Sequence, residues 1–238
     1  MQKYNFVDKM TSKLYLFLPF LVLFISCKKS SQPAPTPSII SISGEIYPTV
    51  TIGSQEWTAV NYNGPGGKEG NFRANNSNYK KYFILTDLAG VQLPAGWRIP
   101  TAADYNKLLS NFTKNTDLEG NFVASLEQSL TLKSSSDWDI IYSDDKQGTN
   151  SSGFNAYPAG YYSDYPQNND TQKNYALFLT STPLPDAKKN FHASYYSFTL
   201  TQLYLTLSSD DRTLCFGCFI DNAHNTDLPK SVRFVRDK

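Results

Sequence analysis

Between Glu45 and Tyr62 the stretch EIYPTVTIGSQEWTAVNY interleaves Val50, Ile52, Trp57, Val60 and Tyr62 with polar residues, and Gly53-Ser54 breaks the run. Successive side chains of a strand point to opposite faces, so this pattern predicts two short strands joined by a tight turn. The glycine-rich NGPGGKEGN that follows predicts a loop. In residues 80–92, KKYFILTDLAGVQ, the positions Phe83, Leu85, Leu88 and Ala89 lie within helical reach of one another and Gly90 supplies a stop, which predicts a first short helix. In GWRIPTAADYNKLL, residues 96–109, Pro100 disfavours helical backbone at Ile99 and Thr101 can cap. Asp104 follows three residues later, and Tyr105, Leu108, Leu109 and Phe112 recur at helical spacing, which predicts a second helix with a marked start. Trp97 and Ile99 are expected to pack under its first turns, a scaffold role that needs no chemistry.

After Asp117 the pattern loosens. GTNSSGFNAYPAGYYSDYPQNND, residues 148–170, has glycine, proline, asparagine or serine at nearly every other place, with Phe154, Tyr157, Tyr161, Tyr162 and Tyr165 between them, and predicts a long surface loop. By contrast YALFLTST, SYYSFTLTQLYLTL and RTLCFGCFI are rich in aromatic and β-branched residues and bounded by turn residues, most clearly Ser208-Ser209-Asp210-Asp211. They predict strands of an antiparallel sheet, closed by a last strand in SVRFVR. The chain shows no internal repeat.

The N-terminus carries a different pattern. Lys3, Lys9 and Lys13 precede LYLFLPFLVLFIS, thirteen uncharged residues followed at once by Cys27. A basic start, a short apolar run and a small residue at the cleavage point read as a secretory signal, too short for a spanning helix of ~20 residues. Phe24-Ile25-Ser26-Cys27 resembles the lipobox of bacterial lipoproteins, with Phe24 in place of the usual leucine. The expected organisation is a signal peptide at 1–26, acylated Cys27 with a proline- and serine-rich tether to residue 44, and a folded domain from 45 to 238. Met10 is an alternative start to Met1. Acyl chains on Cys27 would anchor the protein in a membrane, since each buried CH₂ contributes ~0.8 kcal/mol. Pro33, Pro35 and Pro37 favour extended chain in the tether.

Composition narrows the classes. The 238 residues carry 22 basic and 21 acidic side chains, and beyond the pairs Lys28-Lys29, Lys80-Lys81 and Lys188-Lys189 there is no basic cluster to hold a phosphate backbone. Nucleic acid is therefore not an expected partner. Sixteen tyrosines, with 13 glycines and 13 prolines, favour strands and shaped loops over helices.

Six blocks in order, TVTIGSQEWTAVNYN, GWRIPTAADYNKLL, LKSSSDWD, GFNAYPAGYY, FLTST and SVRFVRDK, resemble successive blocks of the Fibrobacter succinogenes major paralogous domain, a family of exported bacterial proteins, over roughly residues 47–237. The resemblance implies an α+β, C-type-lectin-like domain: two helices packed on a small twisted antiparallel sheet with long loops, related also to the sulfatase-modifying-factor fold. Relatives usually carry cysteines near Leu93 and at Phe234. Their absence here implies a disulfide exchanged for an apolar contact, if those positions touch.

Candidate chemistry is sparse. Cys215 and Cys218 could bridge only if Phe216-Gly217 turns, because residues three apart in a continuous strand lie ~10 Å apart and face opposite ways. Bridged and unbridged states both stay open. A zinc site would need His192 and His224 as further ligands, and surface histidines are the simpler reading. Asp137/Asp139, Asp144-Asp145 and Asp210-Asp211 sit in polar loops where solvated turns explain them. No nucleophile elbow, phosphate loop or zinc-binding helix motif occurs. The expectation is a protein without catalytic residues, metal or cofactor: a lipid-anchored binding or adhesion module on the outer membrane, facing periplasm or cell surface. Tyr157, Tyr161, Tyr162 and Tyr165 would meet a carbohydrate or protein ligand. The alternatives are a structural component of an envelope complex and an enzyme acting on cell wall or glycan.

Overall fold

The computed structural model describes residues 38–70, 77–117, 120–140, 146–162, 173–185, 195–206, 215–221 and 228–238; for 77, 195–197, 201–206 and 215–221 it describes the backbone alone. In chain order the strands are β1 (Ser38–Ile42), β2 (Glu45–Ile52), β3 (Gln55–Thr58), β4 (Lys68–Glu69), β5 (Lys81–Tyr82), β6 (Tyr175–Pro183), β7 (Tyr195–Thr206), β8 (Cys215–Asp221) and β9 (Val235–Asp237). The helices are α1 (Ala102–Leu109) and α2 (Leu126–Ser129). The architecture is therefore mostly antiparallel sheet with two helices among the described residues.

The expected hairpin is β2–β3, paired from Thr49↔Thr58 to Ile52↔Gln55, and Gly53 turns it with φ at 58°, in the left-handed region that glycine tolerates. Strand β1 pairs antiparallel with β2 through Ser43-Gly44, both at positive φ as a two-residue hairpin turn demands. This strand lies inside the stretch whose composition reads as tether, so the folded body begins by Ser38 and not at Glu45. Ile40 and Ile42 are what hold it, buried at 8% and 0% exposure. Strand β9 pairs with β3, giving the order β1-β2-β3-β9. A second sheet has the order β6-β7-β8, and β4–β5 form a small hairpin.

The first helix expected at residues 80–92 does not form. Lys81–Tyr82 is strand β5, and only a short 3-10 turn follows at Leu85–Leu88. The reason is long-range: Phe83 exchanges backbone hydrogen bonds with Lys230, N to O at 2.9 Å in both directions, so the backbone there is already committed to a ladder. Helix α1 forms as expected. The Thr101 hydroxyl accepts from the Asp104 amide while the Asp104 carboxylate accepts from the Thr101 amide, a reciprocal capping box.

Two apolar clusters lie on opposite faces of the four-stranded sheet. The first joins Ile52, Trp57 and Val235 to Tyr105, Leu108 and Leu109 of α1 and to Ala176, Phe178, Phe198 and Leu200 of the second sheet. The Tyr105 and Phe198 rings stack at 4.2 Å. The second joins Ile40, Ile42 and Tyr47 to Tyr62, Phe83, Trp97, Val232 and Phe234. Trp97 thus packs beneath the other face of the sheet, with Ile99 against the same cluster, rather than under α1. The segment between them carries the chain from one face to the other.

The C-terminal segment is central to both layers. Its side chains alternate, Val232 and Phe234 into the second cluster and Val235 into the first. Its backbone is bonded by Tyr62 N to Val232 O at 2.9 Å, Thr58 N to Phe234 O at 3.0 Å and Leu179 N to Ser231 O at 3.0 Å. It therefore links the four-stranded sheet to β6.

Candidate functional site

Three polar assemblies, two of them buried and one at the surface of α1, were not legible in the sequence, and each is structural. The Glu56 carboxylate, on β3, accepts from Ser38 Oγ at 2.7 Å and Thr49 Oγ1 at 2.6 Å, and the two hydroxyls also touch each other. Arg236 Nε and Nη2 donate to its other oxygen at 2.8 and 2.6 Å. One carboxylate so ties together all four strands of the sheet. Burial alone would raise its pKa, but the hydroxyls and the guanidinium overcome that and hold it at about 2. A carboxylate so firmly ionised is a poor proton acceptor at neutral pH.

Arg233 is fully buried. Its Nε donates to Asn61 Oδ1 at 2.9 Å, Nη1 to the carbonyls of Thr58 at 2.7 Å and Phe154 at 2.9 Å, and Nη2 to that of Asn155 at 2.8 Å. The rings of Phe154 and Phe178 lie 4.9 and 5.4 Å from its guanidinium carbon. Burial pushes its pKa down to about 9, still well above neutral pH, so the cation persists and the oxygens and ring faces replace its water. At the helix, Arg98 bonds Asp104 and Asp237, and Lys107 bonds Asp237 at 2.8 Å. The hydrogen bond with Asp104 raises the Arg98 pKa, and that with Lys107 lowers the Asp237 pKa.

The tyrosines come together elsewhere, around the β4–β5 hairpin. Tyr79 and Tyr82 are fully buried and form, with Ala159, a third cluster against which Tyr157 and Tyr162 pack half-buried. Tyr79 and Tyr157 meet edge to face at 6.1 Å, and Tyr82 and Tyr162 at the same separation. The Tyr82 hydroxyl donates to the Ala159 carbonyl at 2.9 Å, and the Tyr157 hydroxyl accepts from Asn155 Nδ2 at 3.1 Å. Lys68 Nζ lies over the Tyr162 ring, 4.9 Å from its centroid. Gly160 is bridged to Ala176, and Tyr161, also half-buried, to Lys230, so the backbone carrying these rings is held on both sides. Close approach explains the loop composition here: a Cβ on Gly67 would lie 2.5 Å from the Tyr82 carbonyl. The result is a group of part-buried phenol rings on a fixed backbone, flanked by the exposed Lys68 and Glu69 and by Lys81, which pairs with Glu69 at 3.3 Å.

Of the residues singled out in the sequence, Tyr157, Tyr161 and Tyr162 belong to this region. Tyr165, Cys27, His192, His224, Asp144-Asp145 and Asp210-Asp211 lie outside the described residues. Cys215 and Cys218 lie in β8, opposite Thr206 and Leu200, with only their backbone described. Asp139 is ion-paired with Lys173 at 3.1 Å, and Asp137 occupies a bend at φ 76°. Leu93 packs, part-buried, against the cluster that holds Phe234. The partners Tyr79, Tyr82 and Lys68 were missed because nothing local marks them; their one signal is the glycine density of residues 64–70.

No curated protein matches this chain, and no solved structure does. A family profile described as the Fibrobacter succinogenes major domain matches residues 50–236, from the β2–β3 hairpin to the C-terminal strand that joins the two sheets. The chain belongs to the Fibrobacter succinogenes major domain family.

Proposed function

We propose that this protein is a lipid-anchored binding module of the bacterial outer membrane, with a C-type-lectin-like arrangement of helices and twisted sheet, that uses its tyrosine face to take a carbohydrate. Acylated Cys27 is the anchor and residues 1–26 the cleaved signal. The observation that carries the reading is the seating of Tyr157 and Tyr162 against Tyr79 and Tyr82. Rings fixed this way offer flat apolar area with a polar edge and lose little conformational freedom on binding. Lys68 beside Tyr162 adds a donor for hydroxyl groups. The buried carboxylates described above are already committed to hydrogen bonds within the fold, which favours binding over turnover.

The test is a glycan array probed with the acylated chain in detergent. Binding to a defined glycan class, weakened at least about tenfold (~1.4 kcal/mol) by Tyr162→Ala with the native circular dichroism retained, is the expected result. Absence of glycan binding, together with recovery of the chain in a stoichiometric complex with other envelope proteins, would replace this reading with that of a structural component.

A further inference from the structure

Three large apolar side chains stand more than half exposed among the described residues: Ile39 at 69%, Ile46 at 59% and Ile140 at 55%. Two of them share one small surface. In the β1–β2 register Ile39 faces Pro48 and Ser41 faces Ile46, so Ile39, Ser41, Ile46 and Pro48 project from one face of the hairpin while Ile40, Ile42 and Tyr47 project into the core from the other. The outer face continues the side of the sheet that carries Val50, Ile52 and Trp57. Its cover ends at Val50, where Gly153 lies so close that a Cβ there would be 2.8 Å from Val50 Cγ2. Beyond that point, among the described residues, Ile39, Ser41 and Ile46 are exposed and Pro48 is part-buried. The face is also nearly uncharged: Glu45, the first residue of β2, is the one charged residue in 38–52.

The place of this face in the chain says what covers it. Ten residues, 28–37, separate Cys27 from Ser38. At ~3.5 Å per residue they span at most roughly 35 Å, so β1 is the described element tied most closely to the acylation point. We infer that the outer face of the β1–β2 hairpin rests on the bilayer surface, with Ile39 and Ile46 entering the boundary between headgroups and acyl chains. This rests on the reading of Cys27 as acylated. Two isoleucines are too little to recruit a protein from solution, but a lipid on the same chain makes the encounter intramolecular, where a weak contact suffices. The contact would fix the orientation of the folded body on the membrane.

The experiment uses the acylated chain reconstituted in phosphatidylethanolamine–phosphatidylglycerol vesicles with brominated acyl chains. The native tryptophans Trp57, Trp97 and Trp138 are buried and give a constant background. Reporters are introduced singly as Ile39→Trp, Ile46→Trp and, as comparison, Ile140→Trp. The expected result is blue-shifted, bromine-quenched emission from the first two, unchanged at high salt, and no quenching from the third. Protein that floats with the vesicles while all three reporters stay equally unquenched overturns the docking and leaves the anchor standing. Unquenched reporters together with a concentration-dependent dimer would give the face to a second copy. Quenching abolished by salt would reassign the contact to charge and overturn an apolar one. Protein that does not float removes the anchor and the docking together.

Discussion

Arg233 replaces its lost hydration with four oxygens and two ring faces, which makes it the least replaceable polar residue in the domain. Arg233→Met keeps the volume but leaves three buried carbonyls and Asn61 Oδ1 without this donor, and Arg233→Lys cannot reproduce the fork geometry. Each is expected to cost about 3–5 kcal/mol in urea unfolding, and a loss under about 1 kcal/mol for the lysine variant would contradict the account. Glu56 makes a separate statement about pH. Its pKa in the fold, about 2, lies below the ordinary 4.5, so its ionised form is what the fold favours. The stabilisation is complete above pH 4.5 and is lost as pH falls towards 2. The shift corresponds to about 3 kcal/mol, and Glu56→Gln should remove most of it at neutral pH and flatten the acid limb of a stability–pH curve. An unaltered acid limb in that variant would assign acid unfolding to other groups.

At the scale of elements, what could be read from the sequence was what is locally determined. The Thr101–Asp104 box and the apolar spacing of Tyr105, Leu108 and Leu109 specify α1 without reference to the rest of the chain, and Gly53 specifies the β2–β3 turn in the same way. Thr101→Ala should therefore lower stability by about 1 kcal/mol, the ordinary value of a helix cap, measurable as a shift in the denaturant midpoint at constant slope. Asp104 also accepts from Gln55 and Arg98, so its replacement by alanine should cost more than that of Thr101. Residues 80–92 show the limit of such reading. Their apolar spacing satisfies a helix, but Tyr82 and Phe83 are claimed by partners far along the chain, Ala159 and Lys230. The tyrosine face divides the same way. Rings in a glycine-rich loop announce Tyr157 and Tyr162, whereas Tyr79 and Tyr82, which seat them, are brought there by tertiary pairing alone.

For the molecule as a whole, the two-faced sheet makes its edges matter to both cores. Strand β1 is an outer strand, yet it contributes Ile40 and Ile42 to the second cluster and Ser38 to the Glu56 assembly. Pro33, Pro35 and Pro37 just before it make the composition of the region resemble a linker, and five residues, SIISI, are too few to stand out against it. A chain beginning at Glu45, where the composition changes, would lack two buried isoleucines worth about 1.5–3 kcal/mol each and one hydrogen bond to a charged group worth about 1.5–3. Against a total stability on the order of 5–15 kcal/mol this loss is large enough to unfold the domain at ambient temperature or to lower its midpoint steeply. A chain beginning at Lys28 keeps all of these contacts and should unfold cooperatively. Equal urea midpoints for the two chains would mean that β1 is an accessory strand and that the core closes without it.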